Sequence, residues 1–182
     1  MLTSTAVIAA LAATVIWIYN RLVKDRNQVH NAWSDIDVQL VRRHDLVPQL
    51  VAAVKGYADY EKATFTAVTE LRTRAEAASR LPEKAALEDA MEEGLHRLIA
   101  VAEDYPDLKA DENFRQLQTS LTEVEDHLQY ARRFYNGAVR IFNTRIESFP
   151  HLLVAKPSGF HSAEFFEADA DARQLPKVEL AS

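Results

Sequence analysis

The chain has 182 residues, with 21 Lys and Arg against 27 Asp and Glu, a formal net charge of -6, and no cysteine. This composition excludes disulfides, thiol catalysis and thiolate metal sites. Its interleaved charges also argue against a nucleic-acid partner, which needs a clustered basic surface to neutralise phosphates. With only four Gly and six Pro, and no stretch of alternating β-branched residues, intrinsic propensity favours helix over most of the length.

Leu2 to Tyr19 is a run of eighteen residues without a charged side chain, carrying Val7, Ile8, Leu11, Val15, Ile16, Trp17, Ile18 and Tyr19. That is the short end for a bilayer span. Trp17 and Tyr19 stand at its C-terminal edge, where amphipathic aromatics favour the membrane interface, and the basic residues Arg21, Lys24 and Arg26 come at once after it. A cleaved signal peptide would place its positive charge before the apolar run. The order here fits an uncleaved anchor over residues 1–20, and the basic side should face the cytoplasm, leaving the N-terminus outside.

No Gly or Pro separates this segment from the more polar sequence beyond Tyr19, so the span should pass directly into a long helix. Val29, Trp33, Ile36, Leu40, Val47, Leu50, Val54, Tyr57, Phe65, Val68 and Leu71 recur at steps that place them on one helical stripe, predicting a single element from Tyr19 to Ala78. Pro48 lies inside that pattern. It lacks a backbone donor and crowds the carbonyl of His44, so a kink is expected there. The charged group Arg42, Arg43, His44 and Asp45 just before it reads as a polar collar that solvates the loosened turn.

Pro82 suits the first turn of a second, shorter helix carrying Leu87, Met91, Leu95, Leu98 and Ala102. Asp111 is a candidate N-cap for a third, whose stripe runs through Phe114, Leu117, Leu121, Val124, Leu128, Tyr135, Ala138, Phe142 and Ile146 until Phe149 and Pro150 stop it. The expected fold is therefore all-α: a transmembrane helix continuous with an antiparallel bundle of three to four helices over 21–150, then a mostly irregular tail over 151–182. Gly56, Gly94 and Gly137 fall one on each segment, where close helix approach would offset their cost. Three Phe in the tail, Phe160, Phe165 and Phe166, predict that it lies against the bundle or a neighbouring subunit, anchored by Phe165 or Phe166, with a short helix from Ser162.

The search for chemistry finds little. A di-iron bundle site needs two Glu-x-x-His pairs and two further Glu, and only Glu93 with His96 has that spacing. There is no nucleophile elbow, phosphate loop, dinucleotide fingerprint or HExxH. No catalytic residue, cofactor or metal is expected. Polar residues set among apolar ones on the last long helix are more informative, above all Asn136 and Asn143, which share a face and suit a seam or a subunit contact. Glu125 and Arg133 read as solvated.

Several runs together resemble the LemA family of bacterial membrane proteins: Tyr19 to Val23, Ala32 to Leu40, Asp45 to Pro48, Val54 to Ala58, Tyr105 to Ala110, Arg132 to Asn136, Phe142 with Asn143, Phe149 with Pro150, and Phe165 to Glu167. The resemblance implies a short anchor leading into long helices, a bacterial source and a role at the membrane. It transfers no catalytic residue, because the family is not an established enzyme class. Members are associated with envelope functions and, in one branch, with forming internal membranes. The expected function is a non-enzymatic single-pass scaffold of the bacterial inner membrane, a homo-oligomer in contact with the lipid bilayer, using Trp33, Asn136, Phe142, Asn143, Phe165 and Phe166 as seam or subunit contacts. The alternative is an adaptor that presents its bundle and Phe-rich tail to a membrane protease or another envelope protein.

Overall fold

The computed structural model describes residues 2–58 and 61–167; the part of the expected tail beyond 167 lies outside them. The described residues form six helices and no strand: α1 Leu2–Lys55, α2 Lys62–Ala77, α3 Leu81–Glu103, α4 Pro106–Ala110, α5 Glu112–Glu147 and α6 Leu152–Ala155. The apolar N-terminal segment and the first part of the amphipathic stripe are one uninterrupted α1 of 54 residues, about 80 Å at the usual rise.

The element expected from Tyr19 to Ala78 is two helices, not one. α1 contains no Gly, passes through Pro48, and ends where Gly56 enters: the N–H groups of Tyr57 and Ala58 both donate to the Val54 carbonyl at 3.0 Å, closing the last turn. α2 then restarts at Lys62. The stripe hid the break because Val54, Phe65 and Val68 are all buried, on either side of it.

Other boundaries reflect local chemistry. Pro82 sits in the first turn of α3, where its missing N–H costs nothing. Asp111 Oδ1 accepts the N–H of Phe114 at 3.0 Å, which makes it the N-cap of α5. Residues 161–167 are irregular, so the expected helix from Ser162 is absent, and the short α6 lies earlier.

Contacts divide the chain into two units, and α1 and α5 each contribute to both. The first comprises residues up to Arg43 with Ser120–Phe165. Its core is built from Leu22, Ala32, Ile36 and Leu40 of α1 and Leu128, Val139 and Phe142 of α5. α1 and α5 run antiparallel in it. Descending α1 from Arg43 through Trp33 and Asp25 to Trp17, the partners are Glu125, Tyr135, Arg145 and His151.

The second unit comprises His44–Thr119 and the described residues from Phe166. Val47, Leu50 and Val54 of α1, Phe65 and Val68 of α2, and Met91, Leu95 and Leu98 of α3 fill its core. α2 and α3 approach closely at Gly94, where an added Cβ would stand 3.1 Å from Cγ2 of Val68 and 3.7 Å from Cδ1 of Leu71. The close-approach expectation therefore holds at Gly94 alone. Gly56 closes a turn, and a Cβ at Gly137 would meet nothing within 4 Å.

Candidate functional site

Among the described residues the longest run of exposed apolar side chains is the N-terminal part of α1. Leu2 is 90% exposed, Ile8 67%, Leu11 63% and Trp17 63%, with Val7, Val15, Ile16 and Tyr19 also open. The segment is long and apolar enough to cross a membrane, and of its eighteen residues only Ile18 is buried. A soluble core helix would hide most of such a run; here water would face nearly all of it.

At the C-terminal edge of this segment the basic residues are built into the first unit. Arg21 lies 4.0 Å from Asp25, one helical turn on, and Asp25 is paired with Arg145 of α5. Arg26 lies over the ring of Phe160, 5.3 Å from its centroid, while Lys24 stays exposed. The aromatics also have partners: Trp17 lies 6.1 Å from the His151 ring, and Tyr19 meets Phe160 edge to face at 5.8 Å.

The expected contact residues are mostly occupied within the chain. Trp33 meets Tyr135 edge to face at 5.7 Å. Phe142 is buried and packs against Phe160. Asn143 uses both ends of its amide on the irregular segment after α6: Nδ2 donates to the Ala163 carbonyl at 2.9 Å, and Oδ1 accepts the Ala163 N–H at 2.8 Å. One residue on, the Tyr135 hydroxyl donates to the Glu164 carbonyl at 2.9 Å. Burial, and then the negative charge of Glu164, push the Tyr135 phenol above its ordinary value of 10.0. Asn136 and Phe165 are half-buried, and Phe166 is buried.

Arg42 and Asp45 are exposed, as a solvated collar would be, but Arg43 and His44 between them are buried. Arg43 is fully buried, and its Nη1 donates to both carboxylate oxygens of Glu125, at 2.9 and 3.1 Å. Glu125 is therefore a structural partner rather than a solvated side chain. In the second unit His44 places Nε2 2.9 Å from Oε1 of the fully buried Glu88, and Nδ1 3.7 Å from Glu76. Arg72 pairs with Glu76 at 2.9 Å and donates through Nε to the His44 carbonyl at 2.9 Å. That carbonyl faces Pro48, which has no N–H to offer it. These pairings join residues 82, 44 and 28 positions apart, too distant for any local pattern to reveal.

Glu93 and His96 are both exposed on α3. Among the described residues no group of three or more His, Asp or Glu side chains is placed to hold a metal ion.

A feature that helical periodicity could have revealed is a second exposed stripe on α5. Tyr130 is 69% exposed, Phe134 51% and Ile141 56%, and the open Gly137 falls on the same face.

Comparison with known proteins places the chain. It is 28% identical over 193 residues to the magnetosome proteins MamQ 1 and MamQ 2 of Paramagnetospirillum magneticum, each match covering 92% of this chain and 71% of the relative. It is 27% identical over 167 residues to protein LemA of Metamycoplasma hominis, covering 86% of this chain and 74% of that one. With its exposed apolar helix, the chain is a membrane-associated protein. The LemA family model matches residues 32–180, most of the length, and the chain belongs to the LemA family.

Proposed function

We propose that this protein is a non-enzymatic single-pass scaffold that self-associates and organises or remodels the bacterial inner membrane. The carrying observation is α1: an exposed apolar segment and one wall of the first unit are the same unbroken helix. A span joined without a linker holds the attached unit in a set orientation to the bilayer, as assembly on a surface requires. Arg21, Lys24 and Arg26 directly after the span support an orientation with that unit in the cytoplasm and the N-terminus outside.

The stripe of Tyr130, Phe134 and Ile141 supports self-association, because contiguous exposed apolar side chains on a helix mark a contact surface. It is a better subunit surface than the residues singled out from sequence, since Trp33, Phe142 and Asn143 are engaged within the chain. The adaptor reading draws less support, because Phe160 and Phe166 of the tail are buried in this chain.

Electron microscopy of the full-length protein returned from mild detergent to lipid tests the proposal. Ordered rings, domes or lattices are expected, and Phe134→Asp should disperse them. Uniform small particles would overturn self-assembly. Protease treatment of intact spheroplasts tests the orientation, with protection of the helices after Arg26 as the expected result.

A further inference from the structure

We propose that the turn joining α5 to α6 is a second membrane contact. Phe149 and Leu153 enter the leaflet from which α1 emerges, and the basic groove beside them receives the phosphates of anionic phospholipids. The inference rests on reading the apolar part of α1 as a bilayer span.

The register of the α1–α5 pair sets the depth. Each contact carries α5 further toward the N-terminal end of α1, and His151, just past the end of α5, lies beside Trp17, inside the apolar run. The chain then reverses. Phe160 is back beside Tyr19 and Phe142, and Ala163 beside Asn143, with Gly159 at φ 72° supplying the left-handed residue that ends the reversal. The reversal between His151 and Phe160 therefore occurs level with the last turn of the apolar segment. Ile18, the one buried residue of that segment, belongs to this same turn.

Beside the exposed Ser148, Lys156 and Ser158, the turn presents two large apolar side chains outward. Phe149 is 78% exposed and Leu153 64%. Side chains of this kind in water would be a liability; level with Trp17 on a spanning helix they continue the surface of the span itself. This continuity selects a lipid leaflet as the occupant.

Charge points the same way. An open groove of about 470 Å³ beside Phe149 is lined by Arg140, Arg145, Thr144, Ser148 and His151, and no carboxylate lines it. Nδ1 of His151 is shielded from solvent there without a hydrogen-bond partner. A second groove, holding Arg21 and Lys24, shares Ile141 with the first. Its one acid, Asp25, is paired with Arg145 and lies near Arg21. The surface thus has a basic surplus at the height where headgroup phosphates lie, with the Thr144 hydroxyl beside it.

The chain has no cysteine, so a nitroxide can be attached at one chosen site at a time. Full-length Leu153→Cys, Phe149→Cys, Leu11→Cys and Glu123→Cys are reconstituted into vesicles of equal parts phosphatidylcholine and phosphatidylglycerol, or of phosphatidylcholine alone, and collision rates with oxygen and a nickel chelate are compared. The label at 11 should lie deep and that at 123 in water. At 149 and 153 nickel collisions should fall several-fold below those at 123. Phosphatidylglycerol should deepen both positions, and Arg140→Gln should remove that gain. If the label at 11 is deep and that at 153 is as water-accessible as that at 123, the second contact is overturned while the span stands. A label at 11 in water overturns the span itself. Depth at 153 that ignores both lipid charge and Arg140→Gln overturns the phosphate-binding part.

Discussion

Nε of Arg72 supplies the carbonyl of His44 with the hydrogen bond that Pro48 cannot give, across 2.9 Å from α2 to α1. The helix can therefore carry a proline without leaving a buried acceptor unpaired, because another helix provides the missing donor.

Removing that donor should be costly only while the proline is present. Arg72→Met is expected to lower stability by about 1–3 kcal/mol, the range for stranding a buried hydrogen-bonding group. In a Pro48→Ala background, where residue 48 regains its N–H, the same change should cost measurably less. Chemical unfolding of the four variants in detergent gives the coupling directly, and strict additivity would show that Arg72 does not serve this carbonyl.

The pair of Arg43 and Glu125 makes a different prediction. Arg43 is fully buried, so Glu125→Ala takes away the carboxylate that accepts twice from its Nη1 and should cost about 3–5 kcal/mol. Replacing both residues with apolar ones of similar volume should recover much of that loss. A double variant no more stable than Glu125→Ala would mean that the cost comes from packing rather than from the lost carboxylate.

These two polar pairs also show where sequence reading reached and where it stopped. The stripe of α5, the N-cap Asp111 and the start of α3 at Pro82 are local signals, and each appears where expected. The end of α1 at Gly56 was concealed by apolar spacing that keeps its phase across the break. Arg43, His44 and Glu88 were illegible for another reason: a charge in an amphipathic pattern reads as solvent-facing, and only the fold shows that its partner lies tens of residues away. Asn143 was recognisable as a seam residue by type and position, but its partner is the backbone of Ala163, which has no side-chain signature.

Alkaline pH should loosen the segment that Asn143 and Tyr135 hold. The folded chain binds the Tyr135 proton more tightly than the unfolded chain does, because burial and Glu164 raise its pKa. The contribution is complete below 10.0, then declines as pH rises past 10.0 and through the folded-state value. Stability measured through this range should fall for the native chain. Tyr135→Phe should lack that component while starting lower, having lost the hydrogen bond to the Glu164 carbonyl. Identical alkaline profiles for the two would refute the assignment.

Two glycines offer a contrast in helix packing. Gly137→Ala should stabilise the chain by up to about 1 kcal/mol, since alanine is the better helix former and its Cβ would meet nothing within 4 Å. Gly94→Ala gains the same propensity but brings its Cβ to 3.1 Å from buried Val68, so its net effect should be smaller or negative. Thermal unfolding of both variants compares them, and a larger gain at Gly94 would contradict the close approach of α2 and α3.

Because α1 runs from the span to Arg43 with neither glycine nor proline, motion of one end reaches the other. A span tilts where the hydrocarbon around it is thinner than its apolar length. Between Tyr19 and Arg43 the helix is a rod of about 36 Å, so a change of about 10° in tilt carries Arg43 sideways by about 6 Å. With the apolar segment spanning the bilayer as proposed, thinning of the membrane would be converted into lateral displacement of a buried cation and of the Glu125 bound to it.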